Sequence, residues 1–375
     1  MGRFRFSLMM SVVVLSLGVA SRASAGVIFE ETFDAQPDFT STMHTTDKSQ
    51  KAREGYILPK DWDSLYQGTE WSPETGFPDN HASLEILDKN SDKAYGGKGK
   101  SAVMWRESYS LSWKNWASDS QLIKFLGQQY KQIYVEFYIR FSPNFYGRDH
   151  ATNFTSKFFR IGSWDGQGDE FSGFQGSLGP LYLWDYKRDE YGVRSVHSFR
   201  GGPWGENYTF NGAYPQDKSL NYGSHTKGQA VGGGDPKLVD QVNGGFLADV
   251  KSVIGHNQVF GEGAHWTKVA FFVQMNSAPG VADGVLRQWV NDQRILNLEN
   301  IPWVQESTTN QMVGWNFIAI GGNDYFQPYP NEDRFEDWYA IDNLVVRDTI
   351  PEMSSSAVPS SNAPNPPSDI SISVE

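Results

Sequence analysis

Lys268–Asn291, KVAFFVQMNSAPGVADGVLRQWVN, constrains the fold of this chain more than any other stretch. Val269, Phe271, Val273 and Met275 alternate with Ala270, Phe272, Gln274 and Asn276, the period of a β-strand. Apolar residues on both sides imply a strand whose second face is also buried or covered by a ligand. Pro279-Gly280 and Asp283-Gly284 then supply turn chemistry, because proline fixes φ and glycine tolerates positive φ. A second alternating run sets Val285, Arg287, Trp289 and Asn291 opposite Leu286, Gln288 and Val290. Two strands joined in this way form an antiparallel hairpin.

The same period recurs along the chain. Ile133–Ser142 is the strongest case, with Val135, Phe137, Ile139 and Phe141 on one side and Tyr134, Glu136, Tyr138 and Arg140 on the other. Further strands are expected at Val27–Phe33, Ser83–Leu87, Ser101–Glu107, Ser156–Ile161, Leu181–Tyr186, Val193–Phe199 and Trp338–Val346. One helix is expected from Ser118. Ser118–Gln121 fits a capping box, and Leu122, Phe125, Leu126 and Tyr130 would line one face. Gln36–Tyr95 reads as long loops with short strands. Gly201–Gly263 is a Gly-, Asn- and Tyr-rich insert with short helices expected at Pro236–Val242 and Phe246–Ile254.

Both ends have a different character. Arg3 and Arg5, the apolar run Leu8–Ala20 and the Ala23-Ser24-Ala25 site form a secretory signal over residues 1–25, too short for a membrane span. Residues 351–375 form a Ser/Pro-rich tail of disordered composition. The 26–350 stretch between them is expected to be one domain in an exported protein, of unspecified oligomeric state. It lacks cysteine, so no disulfide framework or thiolate metal site is available. His225 and His256 do not have zinc-ligand spacing. A formal charge of −12 excludes a general nucleic-acid binder. Gly96–Ser101 ends in Gly-Lys-Ser, but Ala94 replaces the first glycine of a phosphate loop and no helix pattern follows. The 13 Trp, 17 Tyr and 24 Phe fit either a sandwich core or sugar-stacking platforms, and composition does not separate the two.

The hairpin motif, "W-x-K-V … N-x-x-x-G-x-x-D-G-x-L-x-x-W-V-N", is followed by Ile318–Gly322 and Trp338–Asn343. Together these resemble the concanavalin A-like jelly-roll sandwiches. They are most similar to the secreted polysaccharide lyase branch, with its alginate, glucuronan and heparin lyase-type domains. The resemblance implies an all-β jelly-roll β-sandwich of two antiparallel sheets with long loops. It also implies a polysaccharide as substrate or ligand, and a structural Ca²⁺ where the first and last strands meet. Glu30, Glu31 or Asp34 with Asp342 would supply its carboxylates. The family's R-x-E-x-R strand is echoed only by Trp105-Arg106-Glu107, and its Q-x-H pair is replaced by Gln274 and Asn276.

Such lyases act by β-elimination, which needs a cation or amide on the uronate carboxylate, a base and an acid, and no cofactor for the chemistry. Among the polar residues on the aromatic strands, His197 is expected as base, Tyr182 or Tyr186 as acid, and Arg106 with Gln274 as carboxylate neutralisers. Trp184, Trp289, Asn276, Lys157 and Arg160 would bind substrate. Strand parity disciplines this set. Tyr182, Trp184 and Tyr186 share a face, whereas His197 and Arg200, like Lys157 and Arg160, fall on opposite faces unless a bulge intervenes. His265 is expected at a strand edge. Two alternatives stand beside the lyase. One is a non-catalytic carbohydrate-binding or adhesion protein; the other is a glycoside hydrolase, although the laminarinase-type E-x-D-x-x-E run is not found here.

Overall fold

Alternating sequence becomes two sheets. The computed structural model describes residues 25–43, 57–66, 81–107, 116–143, 145, 154–166, 180–189, 192–200, 219–225, 229–231, 256, 260–261, 265–304, 311–325 and 336–352. Within them run seventeen strands: β1 (Val27–Glu31), β2 (Phe39–Thr40), β3 (Ser64–Tyr66), β4 (Leu84–Ile86), β5 (Ala102–Glu107) and β6 (Trp116–Tyr130). Next come β7 (Gln132–Phe141), β8 (Phe154–Gly162), β9 (Leu181–Asp189), β10 (Gly192–Arg200), β11 (Ser219–His225) and β12 (Gln229–Val231). The last are β13 (Thr267–Gln274), β14 (Gly284–Val290), β15 (Gln293–Ile301), β16 (Trp315–Tyr325) and β17 (Glu336–Arg347). A nine-stranded sheet has the order β15-β14-β13-β7-β17-β5-β4-β2, with β1 also on β17. An eight-stranded sheet has the order β12-β11-β10-β9-β8-β16-β6-β3. Neighbouring strands are antiparallel, and Gly26–Ile350 form one compact unit. This is the expected jelly-roll sandwich.

The sheets meet through the faces that the alternation marks as apolar. Phe137 of β7 and Phe271 of β13 each lie 5.2 Å, ring to ring, from Phe159 of β8. Phe271 is also 5.2 Å from Trp184 of β9. Each buried aromatic removes a large apolar area from water, and without disulfides this core carries the stability. The hairpin β13–β14 forms as expected. Its far face is apolar because Ala270, Phe272, Val285 and Trp289 pack with Tyr134 in a second, outer cluster. Asn291 and Asp292 both have positive φ, which suits the tight turn into β15.

Two expectations are corrected. The segment from Ser118 is not a helix but part of β6, paired with β16 and β3. Leu122 and Leu126 enter the inter-sheet core while Ile123 packs on the outer face. A strand apolar on both faces mimics helical spacing, so the capping-box pattern misled. The Gly-rich insert contributes β11 and β12 to the edge of the eight-stranded sheet. The expected helices at 236–242 and 246–254, the signal at 1–25 except for Ala25, and most of the tail lie outside the described residues.

Candidate functional site

Most of the expected site is core. His197 pairs across the ladder with Trp184, which places both on the inner face of the eight-stranded sheet. The His197 ring has no accessible surface, and its Nδ1 is hydrogen-bonded to the Tyr182 hydroxyl at 2.7 Å. Burial pushes the imidazole pKa down to about 3, offset only in part by the Gln288 side chain. Burial, with the charge of Asp185, holds the Tyr182 hydroxyl well above its ordinary range. Tyr186 is likewise buried, 2.9 Å from Nδ1 of His256 among Phe141, Phe145 and Phe260. Trp184 packs on Phe158 and Phe271 and offers no platform to a sugar. A polysaccharide cannot reach any of these groups, so His197 as base, Tyr182 or Tyr186 as acid and Trp184 as platform are all corrected.

The other assignments scatter. Arg106 is fully buried, its guanidinium 4.6 Å over the Tyr339 ring, and it donates from Nη2 to the Tyr339 hydroxyl. Gln274 lies on the opposite face of the same sheet, so the two cannot share a carboxylate. Asn276 clips the hairpin turn. Its amide donates to the Ala278 and Val304 carbonyls and accepts from the Val304 N–H. Trp289 is buried edge-on against Tyr134. His265 is exposed.

The carboxylates do not assemble as a metal centre. Glu30 is exposed on β1, Asp34 Oδ1 accepts the Lys100 N–H, and both oxygens of Asp342 accept backbone N–H groups from Tyr95 and Asn343. Burial raises the Asp342 carboxyl to about 7, and the nearby Asp34 and Glu31 charges add to this. Among the described residues no three acidic or histidine side chains are grouped to hold a metal.

One pair is brought together against expectation. Lys157 pairs with Asp185 and Phe159 with Trp184, so Phe158 is an extra residue in β8. This bulge resets the parity. Phe158 and Phe159 both enter the inter-sheet core, while Lys157 and Arg160 both lie on the outer face of the eight-stranded sheet. The facing strand is irregular at the same level, between Ile320 and Asp324. A Cβ on Gly322 would sit 2.7 Å from the Lys157 Cβ and 3.3 Å from Arg160 Nη1. Glycine is needed there for the two cations to pack over β16. Arg160 donates from Nη1 to the Gly321 carbonyl at 3.1 Å.

The same face carries Asp185, Gln121 and Tyr66, all buried, and then turns apolar through Ile123, Leu181, Leu183, Phe317 and Trp164. A Cβ on Gly162 would collide with the Phe317 ring at 2.2 Å. Lys157 is half-buried, unlike Arg160 beside it. The face thus combines a guanidinium, an amine, a carboxylate and an amide along one end of four adjacent strands, about 14 Å across.

No family model and no curated protein matches the chain. Solved structures that resemble it share little sequence. Endo-β-1,4-glucuronan lyase from the fungus Trichoderma reesei is 11% identical over 77% of this chain and 92% of its own, at a TM-score of 0.39. The alginate lyase from Aplysia kurodai is 12% identical over 70% and 86%, at 0.36. Endo-1,3-β-glucanase from Streptomyces sioyaensis is 9% identical over 88% and 98%, at 0.41.

The pairing of Lys157 with Arg160 leaves one trace in the sequence. Lys-Phe-Phe-Arg sets two adjacent apolar residues between two cations, a break in alternation that a bulge explains and a regular strand does not. Asp185 and Tyr66 carry no comparable signal. Asp185 sits in a short aromatic run and Tyr66 in a polar stretch, and each is recognised only by its cross-strand partner.

Proposed function

We propose that this protein is a secreted polysaccharide lyase that cleaves a uronate-containing glycan by β-elimination on the outer face of the eight-stranded sheet. The observation that carries the reading is the β8 bulge, which places Lys157 and Arg160 side by side on one face, next to Asp185. Arg160, a permanent cation that is itself buried, would act through its field on the charge that develops at the carboxylate. The Lys157 amine would remove the proton on the carbon bearing the carboxylate. The bond from the adjacent carbon to the glycosidic oxygen then breaks, a carbon–carbon double bond forms, and Lys157 returns the proton to the leaving oxygen. No cofactor is needed for that sequence.

A two-carboxylate hydrolase fits less well, because the cross-strand partners of Asp185 are Lys157 and Val196, not a second acid. The second reading, a non-catalytic carbohydrate-binding protein, would use the same face without the proton transfer. One assay separates them. The mature protein is mixed with uronate polysaccharides while the ultraviolet absorbance of unsaturated product and the release of reducing ends are followed together. Rising absorbance that Lys157→Ala abolishes supports the lyase. Reducing ends without absorbance mean hydrolysis. Binding without either product means a lectin-like protein.

A further inference from the structure

A fully buried arginine in a sandwich core is costly, and an apolar side chain of similar volume would often serve stability as well or better. Arg106 is such a residue, and the groups it touches lead to the proposed site. It stacks on the Tyr339 ring and donates to the Tyr339 hydroxyl, fixing both the plane and the oxygen of that side chain. Directly across from Arg106 on β17 is Asp337, also fully buried. The Tyr339 hydroxyl in turn donates to the backbone carbonyl of Lys157 at 3.3 Å. The Tyr339 ring packs 4.5 Å from Phe158, the extra residue of the bulge. Tyr339 therefore holds the bulge at two points, by hydrogen bond before the extra residue and by ring contact on it.

We infer that Arg106 and Tyr339 form a positioning clamp which, from inside the core, fixes the β8 bulge and so keeps Lys157 on the same outer face as Arg160. The inference rests on the lyase reading only for its catalytic consequence; the clamp itself is a statement about register. A bulge disrupts the ladder locally, and a one-residue slip would move Lys157 to the other face. The nine-stranded sheet, through β17 and β5, thus sets the geometry of a site on the far side of the other sheet. Neither Arg106 nor Tyr339 is a catalytic residue, since neither reaches that outer face.

Tyr339→Phe removes the hydroxyl and keeps the ring, so the core remains filled. Two measurements on the mature protein test the clamp. The first needs no substrate: the rate at which acetic anhydride labels the Lys157 amine, followed by peptide mass spectrometry. It is expected to change by about threefold or more in Tyr339→Phe, the low end of couplings within one network. Lys268, ion-paired to Glu136 on the other sheet, serves as the internal reference and should label as in the wild type. Equal Lys157 labelling in the two proteins overturns the clamp. The second measurement is turnover. Tyr339→Phe should lower kcat, and the double variant with Lys157→Ala should be no slower than Lys157→Ala alone. Additive losses overturn the clamp even if each single loss is large. Failure of the lyase reading appears separately, as no unsaturated product from the wild type, and the labelling measurement then decides alone.

Discussion

The outer faces of the two sheets place their cations differently. On the nine-stranded sheet, Lys93 lies 5.6 Å from the Trp105 ring and 5.5 Å from Trp338, and Arg140 lies 5.4 Å from Trp338. His81 stacks on Trp105 at 3.5 Å, so these aromatics are closed over by the protein's own side chains. The remaining charges pair locally, Lys268 with Glu136 at 3.1 Å and Arg287 with Glu299 at 2.8 Å. On the eight-stranded sheet, the β8 bulge sets Lys157 and Arg160 on one face near the buried Asp185, with Arg160 donating to the Gly321 carbonyl. Cation–aromatic and ion-pair closure finishes a surface. The first face is closed over by the protein's own side chains; the second is the one proposed above to meet the glycan.

The largest expected effect tests the second half of that contrast. Lys157→Arg keeps the charge and removes a base that can lose its proton. Product formation should fall on the order of 10³-fold, while the melting temperature stays within about 2 °C. A variant with normal turnover would reduce Lys157 to an electrostatic role; one that melts far lower would place it with the structural cations of the other sheet.

Trp338→Ala tests the first half. Its ring is 8% exposed and carries contacts to Trp105, Lys93 and Arg140. Truncation should cost about 3–4 kcal/mol in denaturant unfolding, with turnover unchanged at temperatures where the variant is folded. A loss of glycan cleavage or binding at full stability would make this face a site as well, and the contrast would fail.

How far this division could be read in advance depends on what alternation encodes. Parity correctly grouped Val135, Phe137, Ile139 and Phe141 as core, because the opposite side of β7 carries Glu136 and Arg140. It also grouped Tyr182, Trp184 and Tyr186 correctly on one face of β9, but did not say which face. Leu181 and Leu183 opposite them are apolar too, and both sides of that strand are buried. Trp184 was therefore as plausible on a sugar platform as in the core. Lys157 and Arg160 failed for another reason. Their spacing is incompatible with one face on a regular strand, and the bulge is held by Tyr339 and Arg106, residues distant in sequence. Asn276, at the polar tip of a hydrophobic strand, resembled a substrate contact because a turn-clipping amide has the same local context.

Between the two faces, the core should respond to acid in a way neither surface does. His197 keeps its ring neutral in the folded protein down to about pH 3, whereas an unfolded chain protonates it near 6.5. Between those values the unfolded state binds the extra proton, so stability falls as pH falls, by about 2–3 kcal/mol from pH 6.5 to pH 4.5. Asp342, with its carboxyl raised to about 7, acts in the opposite sense, since its folded form takes up a proton over the same window. The difference between wild type and His197→Gln in urea unfolding at a series of pH values isolates the histidine. Parallel stability profiles would mean that water reaches the ring, and a reachable ring would restore His197 as a candidate base.

The smallest effect sharpens the comparison from within the nine-stranded face. Glu85 is 2% exposed and accepts from Asn90 Nδ2 at 2.9 Å and Trp105 Nε1 at 3.0 Å, with the His81 ring nitrogen 3.2 Å away. Burial pushes its carboxyl up, but the hydrogen bonds from His81 and Asn90 outweigh this and hold it below the ordinary glutamate range. Its contribution is therefore present above pH 4.5 and is lost as pH falls through the depressed value. Glu85→Gln keeps the shape and weakens charge-assisted hydrogen bonds, at a cost of about 1–2 kcal/mol near neutral pH that fades on acidification. A cost that persists unchanged at low pH would show that packing of His81 on Trp105, rather than the carboxylate beneath them, closes this face.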